Sequence, residues 1–435
     1  MLKNWSIDSW KNFDIHQQPI YENIDTYNQV LESLIKLPSL VFSGETRHLI
    51  SALNEIENNN NFILQIGDCS ESFNDCNGPK IHNFLRLVLQ MSKIIEFNNK
   101  TNVVKIGRIA GQYAKPRSND YEILNNTKLP VYRGDNVNEY EPTYLDRIPK
   151  PEKLIQGYFY STATLNLIRA FICGGYSDIK YFSDWENHFY SSNLINIKRY
   201  NEFKDFLNQS LVSNDYTKND KFFISHEALL LGYEQAFIRE DTVNGGYYST
   251  SAHTLWIGDR TRQLNSAHVE LLSGIENPIG IKVGPNYETD VIISLLNKLN
   301  PNNLKGKITL ITRFGHDKIK NKLEDLQIIL KKNKLNVIWM CDPMHGNTFT
   351  HEKFKVRSFD NIVSEIQSFF SICKNNGIKP SGVHLEVTAD YVSECVGGLC
   401  GLTFSNLGEK YCTKVDPRLN TAQALELAFI INKLI

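Results

Sequence analysis

Residues 103–118 read VVKIGRIAGQYAKPRS, and the parsing of the whole chain turns on them. The stretch opens as a short β-branched strand at Val103, Val104 and Ile106. It then becomes a loop carrying Arg108, Lys115 and Arg117, with Gly107 and Gly111 leaving the backbone room to turn. Pro116 and these glycines argue against a helix running through it. Three cations at the exit of an apolar strand suit a multiply charged anion such as a phosphate ester. A solvated basic loop would carry the same charges. What favours an anion site is that similar strand-end chemistry recurs along the chain.

Working outward, short Val- and Ile-rich runs stand at residues 62–66, 103–107, 179–182, 253–257, 280–283, 308–312, 337–340 and 382–387. Between them lie segments with helical spacing at 80–97, 152–172, 289–299, 318–332 and 359–375. Near-continuous apolar strands alternating with helices indicate a parallel sheet covered on both faces, and eight such units predict an α/β fold, a (β/α)8 TIM barrel. An open doubly wound sheet is the competing arrangement. Residues 222–225 form a further strand candidate, placed in a helical and hairpin insertion at about 185–250, before strand 4. Residues 1–61 are expected to be an N-terminal helical extension, and residues 62–435 a single catalytic barrel domain.

Composition narrows the function. Of 435 residues, 41% are hydrophobic and 22% charged, as in an ordinary globular protein, and the net charge is −1. A near-neutral chain has no global field to recruit nucleic acid or an anionic membrane surface, so any anion site must be local. No apolar run approaches a membrane span, and MLKNWSIDSW lacks a signal-peptide core. Eight cysteines without a CxxC pair read as reduced thiols of a cytoplasmic protein.

Polar residues gather where the strands end. Gly67, Asp68 and Cys69 follow the first strand, Arg108 ends the second and Asp184 follows the third. Asp259, Arg260 and Arg262 follow the fourth, Lys282 lies in the fifth and Arg313 ends the sixth. Asp342 and His345 follow the seventh, Glu386 lies in the eighth, and Asp416 precedes the last helix. A barrel keeps its active site at this face, so the pattern predicts an enzyme. One subset is cationic (Arg108, Lys115, Arg117, Arg260, Lys282, Arg313) and calls for a polyanionic substrate. The other, Cys69, His345, Glu386 and Asp416, has separations too large for any spacing rule. Its mixed S, N and O donors would suit a first-row divalent ion.

Several long motifs are specific enough to identify a family. GDCSESF (67–73), KIGRIAGQYAKPRS (105–118), LPVYRGDNVN (129–138), SHEALLLGYE (225–234), SAHTLWIGDRTRQLNSAHVE (251–270), CDPMHGNT (341–348), VHLEVT (383–388) and DPRLN (416–420) closely resemble the class II 3-deoxy-D-arabino-heptulosonate 7-phosphate (DAHP) synthases. The likeness extends to QQPIY and LVFSGETRHL in the first 61 residues. It implies a barrel enzyme that condenses phosphoenolpyruvate with erythrose 4-phosphate at the opening step of the shikimate pathway. An amino-sugar variant of that chemistry and a silent regulatory homologue are the alternatives.

Position by position, the resemblance implies Cys69, His345, Glu386 and Asp416 as ligands of a divalent metal. Mn2+ or Co2+ is the expected ion, with Zn2+ and Fe2+ as alternatives. It implies that Arg108, Arg260, Lys282 and Arg313, with Asp259 beside them, hold phosphoenolpyruvate, and that Arg108, Lys282 and Asp259 stand nearest the chemistry. Lys115, Arg117, Ser118 and Asn138 would receive erythrose 4-phosphate. Homodimers or homotetramers and an aromatic amino acid effector are further implications, the accessory helices being sought in the extension and in residues 185–221. Departures from the family pattern are Asp259, a methylene shorter than the usual Glu; Ile66 for a Gly; RFGHDK at 313–318; and Val415, which removes a thiol partner for Cys69. Cys69 is also expected to be the most oxidation-sensitive thiol, with Cys341 as the competing candidate.

Overall fold

The computed structural model describes residues 5–56, 61–124, 126–176, 201, 205 and 221–435. Eight parallel strands close into a barrel: β1 (Phe62–Gly67), β2 (Val103–Arg108), β3 (Phe222–Glu227), β4 (Thr254–Ile257), β5 (Ile279–Val283), β6 (Ile308–Thr312), β7 (Ile338–Cys341) and β8 (Gly382–Glu386). Each pairs with its neighbours in the chain, and β8 returns to β1, so that Gly67 lies level with both Arg108 and Glu386. The outward side chains pack on a ring of helices that includes Gly78–Glu96, Thr289–Leu299, Ile319–Lys332, Phe359–Asn375 and Thr421–Leu434. Local sequence sets their starts: the Asn77 side chain accepts from Lys80 N, and Asn420 with Gln423 forms a capping box. Asn432 Nδ2 closes the ring by donating to Phe97 O at 2.7 Å.

The third strand is a correction to the sequence expectation. Residues 222–227, not 179–182, pair with both β2 (Ile106 opposite Phe223) and β4 (Ser225 opposite Thr254). Residues 179–182, Asp184 and the helical pattern near 203–211 lie outside the described residues, apart from position 205. An insertion therefore precedes β3, and the segment from 231 to 249 is the β3–β4 connection, a short helix Leu231–Ala236 and a hairpin of Ile238–Glu240 with Tyr247–Ser249. The sequence misleads here because β3 ends in Ser225-His226-Glu227, too polar to read as an interior strand.

That polarity belongs to a layered interior, since alternate strand residues point inward. Ile63, Val104, Phe223 and Ile338 form an apolar tier that helix Ser43–Asn54 seals from below with Leu49 and Leu53, joined by Ile56. Above it, Gln65 donates to Ser225 Oγ (2.9 Å) and its Oε1 meets His384 Nδ1 (2.9 Å), while His384 packs edge-on to Trp256. Two residues further along their strands come Arg108, Glu227, Asp342 and Glu386. Interior chemistry thus changes from apolar to charged within one strand length. The amphipathic helix Ile24–Lys36 lies outside the barrel, with Val30 and Leu34 buried. No helix among the described residues is long and apolar enough to cross a membrane.

Candidate active site

Three donors, Cys69, Glu386 and Asp416, meet at the carboxyl face of the barrel, and His345 joins them through Glu386. Glu386 is the last residue of β8, Cys69 lies two residues beyond β1, His345 follows β7, and Asp416 precedes the last helix. One donor atom from each of Cys69, Glu386 and Asp416 lies within 4.8 Å of the others. Cys69 Sγ is 3.5 Å from Asp416 Oδ2, and His345 Nε2 is 3.0 Å from Glu386 Oε1. Asp342 orients the imidazole through Nδ1 at 2.7 Å and fixes its loop by accepting from Met344 N and His345 N. This is the carboxylate–histidine support that metal sites use. Lys115 Nζ contacts both Cys69 Sγ and Asp416 Oδ2.

The charges here act on one another strongly because they are buried. Burial alone would raise Glu386, but His345, Arg357, Lys115 and Arg108 outweigh it and hold the carboxyl well below its usual range. Asp416 and Asp342 are held down in the same way, the first chiefly by Lys115 and the second by His345 and Lys282. The Cys69 thiol is pushed well up by burial and by Glu386, against the pull of Lys115. A divalent ion would invert that balance by binding the thiolate. Sulfur, imidazole and two ionised carboxylates fit such an ion, of the borderline-soft first-row kind.

Against this cluster stands a cavity of about 50 Å3 walled by cations. Arg108 and Lys282 lie over the Trp256 ring, at 5.3 and 5.9 Å from its centroid. Arg108 Nη2 reaches Glu386 Oε1 at 3.0 Å, while its Nε and Nη1 are buried without a partner. Burial pushes Lys282 down to about 8, although Asp342 beside it pulls the other way. Arg313 Nη1 approaches Asp259 Oδ2 at 3.4 Å, and Asp259 Oδ1 also accepts from Arg262 Nε (2.8 Å) and Gly284 N (3.2 Å). The shorter acid still reaches its neighbours. Lys115, Arg260, Arg313 and His345 continue into an outer pocket of about 460 Å3, which adds Arg117, Ser118, Lys355 and Asp416. Arg260 Nη2 donates to Ser118 Oγ at its rim (2.8 Å).

The basic loop after β2 is held by Glu71, whose carboxylate accepts from Ala110 N, Gly111 N and Gln112 N at 2.7–2.9 Å. Ala110 takes the left-handed conformation (φ 62°) that lets successive amides converge on one acid. Asn138 stands apart from the other residues of its proposed group. It is buried, its Oδ1 accepts from Arg133 N, and its Nδ2 donates to Val131 O and Arg147 O. Its amide shapes the loop instead of lining either pocket. Cys341 likewise packs outward into the helical core, not toward the donors.

Sequence reasoning passed over three neighbours of the site. Glu227, the last residue of β3, lines the inner cavity with a buried, unpartnered Oε1. Burial raises its carboxyl, against the pull of Lys115, Lys282, Arg260 and Arg108. Placing β3 correctly would have put Glu227 at a strand end beside the others. Arg357 and Lys355, on a hairpin beyond His345, contact Glu386 and Asp416, and nothing in their local pattern marks them.

Comparison with known proteins agrees with the geometry. A family profile described as the Class-II DAHP synthetase family matches residues 5–432. The chain is 40% identical to a phospho-2-dehydro-3-deoxyheptonate aldolase of Streptomyces coelicolor, across 98% of this chain and 96% of that protein. A protein of the same description from Neurospora crassa is 39% identical, across 98% and 93%. One from Mycolicibacterium smegmatis is 37% identical, across 96% and 92%.

Proposed function

The chain belongs to the class-II DAHP synthetase family, and from that premise we propose how its residues divide the work of joining phosphoenolpyruvate to erythrose 4-phosphate. The products are DAHP and phosphate, at the head of the shikimate route to aromatic amino acids. The observation that carries the assignment is the Cys69, Glu386 and Asp416 donor cluster, with His345 against Glu386, directly beside a cation-walled cavity.

In this reading Cys69, His345, Glu386 and Asp416 hold the divalent ion, Mn2+ or Co2+ suiting the donor set best. When bound, the ion supplies Lewis acidity for the aldehyde oxygen. Arg108, Lys282, Arg260 and Arg313 hold the carboxylate and phosphate of phosphoenolpyruvate, and Asp259 fixes the Arg313 fork. Lys115, Arg117 and Ser118 receive the sugar phosphate in the outer pocket, which sets its aldehyde carbon against C3 of the enol phosphate and removes the entropy of encounter. The new C–C bond forms between those carbons, and a water then adds at C2. Glu227 is placed to take that water's proton, its desolvated carboxylate being a stronger base than an exposed one. The C2–O bond to phosphate breaks as the new C2 hydroxyl becomes the ketone. The water's two protons end on the former aldehyde oxygen and on the departing phosphate, whose charge Arg108, Lys282 and Arg313 hold.

Two coarser features extend the proposal. All eight cysteines are free thiols, which supports a reducing, cytoplasmic setting. Exposed Ile20, Ile24, Ile35 and Phe42 in the N-terminal segment support contact with further copies of the chain. The decisive assay measures phosphate release with each substrate alone and with both, before and after chelation. Release is expected only with both substrates, to vanish in chelator and to return with Mn2+ or Co2+. Full turnover in excess chelator, with metal shown absent, would refute it.

A further inference from the structure

After His345 the chain forms a hairpin, Thr348–His351 against Phe354–Ser358, with Thr348 directly opposite Arg357 and Arg357 opposite Cys395 on a third short strand. Lys355 and Arg357 are two residues apart, so both project from the same face of their strand. That face lies behind the carboxylate ligands. Arg357 is 0% exposed; its Nη1 donates to Glu386 Oε2 (2.7 Å) and to Pro417 O, and its Nε donates to Thr348 Oγ1 (2.8 Å). One side chain therefore ties together β8, the residue after Asp416 and the loop of His345. Lys355 Nζ donates to Asp416 Oδ1 (2.9 Å) and Val415 O (3.3 Å).

The choice of oxygens is what matters. Glu386 Oε1 faces His345 Nε2, and Asp416 Oδ2 faces Cys69 Sγ. Arg357 and Lys355 take the opposite oxygen of each carboxylate. Each carboxylate is thereby left with one oxygen turned toward the donor cluster and the other engaged. Arg108 and Lys115 differ, because they bind the inner oxygens of Glu386 and Asp416 and also line the substrate cavity. Arg357 lines neither pocket. Three anionic ligands around a divalent ion would also leave a net negative charge, and a buried guanidinium offsets it.

We propose that the strand Phe354–Ser358 is the back wall of the metal centre, with Arg357 as a positioning residue that fixes which carboxylate oxygens meet the ion and so sets its affinity. The inference rests on the metal assignment above. Co2+ is titrated into metal-free protein without substrates and followed by thiolate-to-cobalt absorption, with the melting temperature of the metal-free protein read in parallel. Arg357→Lys keeps the charge but cannot span Glu386, Pro417 and Thr348 together, and is expected to loosen Co2+ by about 10–100-fold. Thr348→Val removes a single anchor. It should weaken Co2+ by a few-fold, with phosphoenolpyruvate binding to the metal-free protein unchanged, and it carries the test if Arg357→Lys does not fold. Wild-type affinity and an unaltered absorption band in both variants would overturn this inference alone. A wild-type chain that takes up no Co2+ would overturn it together with the metal assignment.

Discussion

The two ends of the barrel are built from the same eight strands and do opposite things. At the amino end, Ile63, Val104, Phe223 and Ile338 meet Leu49, Leu53 and Ile56, and little but hydrocarbon is in contact. Each such side chain removed from water contributes about 1.5–3 kcal/mol. At the carboxyl end the barrel presents Arg108, Glu227, Lys282, Asp342 and Glu386, nearly all buried, with Arg108, Glu227 and Asp342 each four residues beyond Val104, Phe223 and Ile338. Burying these charges costs stability unless each finds a partner, and most do. The exceptions, Arg108 Nε and Nη1 and Glu227 Oε1, point to where substrate groups belong. One end holds the fold, and the other gathers the charged groups on which the proposed chemistry rests.

The sharpest way to break this contrast is Cys69→Ser. It should abolish tight metal uptake and reduce turnover by about a thousandfold, the equivalent of several kcal/mol of lost Lewis-acid stabilisation. The melting temperature of the metal-free protein should barely move. Cys341→Ser, whose thiol faces the helical core, should keep both metal and turnover. Metal analysis and steady-state kinetics on the two variants settle it, and equal metal content in both would end the assignment of Cys69.

Leu49→Ala tests the other end. Truncating a fully buried leucine of the plug should lower stability by about 2–5 kcal/mol in denaturant unfolding. The turnover number and both Michaelis constants should stay as they were at temperatures where the variant is folded. A catalytic defect without a stability loss would show that the two ends are not separable.

Arg313→Ala returns to the carboxyl end with a smaller effect. Losing one charge-assisted fork should weaken phosphoenolpyruvate binding by about 1.5–3 kcal/mol and leave metal content intact. An unchanged Michaelis constant and turnover number would remove Arg313 from the site.

The smallest effect is a titration that sets one lysine at each end against the other. Burial pushes Lys282, at the site, and Lys307, below β6, down to about 8 from the ordinary 10.5. Both are charged below pH 8 and lose the charge above it. Between about 8 and 10.5 the unfolded chain binds more protons, so each lysine makes folding more favourable as pH rises. Lys282 alone should act with the opposite sign on binding, phosphoenolpyruvate affinity falling as its ammonium discharges. Lys282→Arg should flatten that profile and Lys307→Met should leave it in place. A profile altered only by Lys307→Met would reverse the reading.

The same contrast explains what was legible in the sequence. Strands such as β2 and β6 announce themselves because Val104, Ile106 and Ile311 belong to tiers that are apolar for a physical reason. β3 was misplaced because its inward residues, Ser225 and Glu227, belong to the polar and charged tiers. Cations and acids at strand ends were legible as a set, since the topology brings strand ends together whatever their separation in sequence. Arg357 and Lys355 were not. Their position depends on a hairpin folding back over the site, and in the sequence they look like solvated charges between turn residues. Asn138 was carried over from a motif, and only its three hydrogen bonds reveal that its amide is used within the loop.

The central claim is that the carboxyl end of this barrel holds one divalent ion among Cys69, His345, Glu386 and Asp416, beside the cation-walled cavity. Anomalous diffraction from crystals grown with Mn2+ tests it most directly. The account predicts a single strong peak within bonding distance of all four side chains, absent in Glu386→Ala crystals. A strong peak elsewhere, or none at these residues in crystals of protein that turns over, would contradict it.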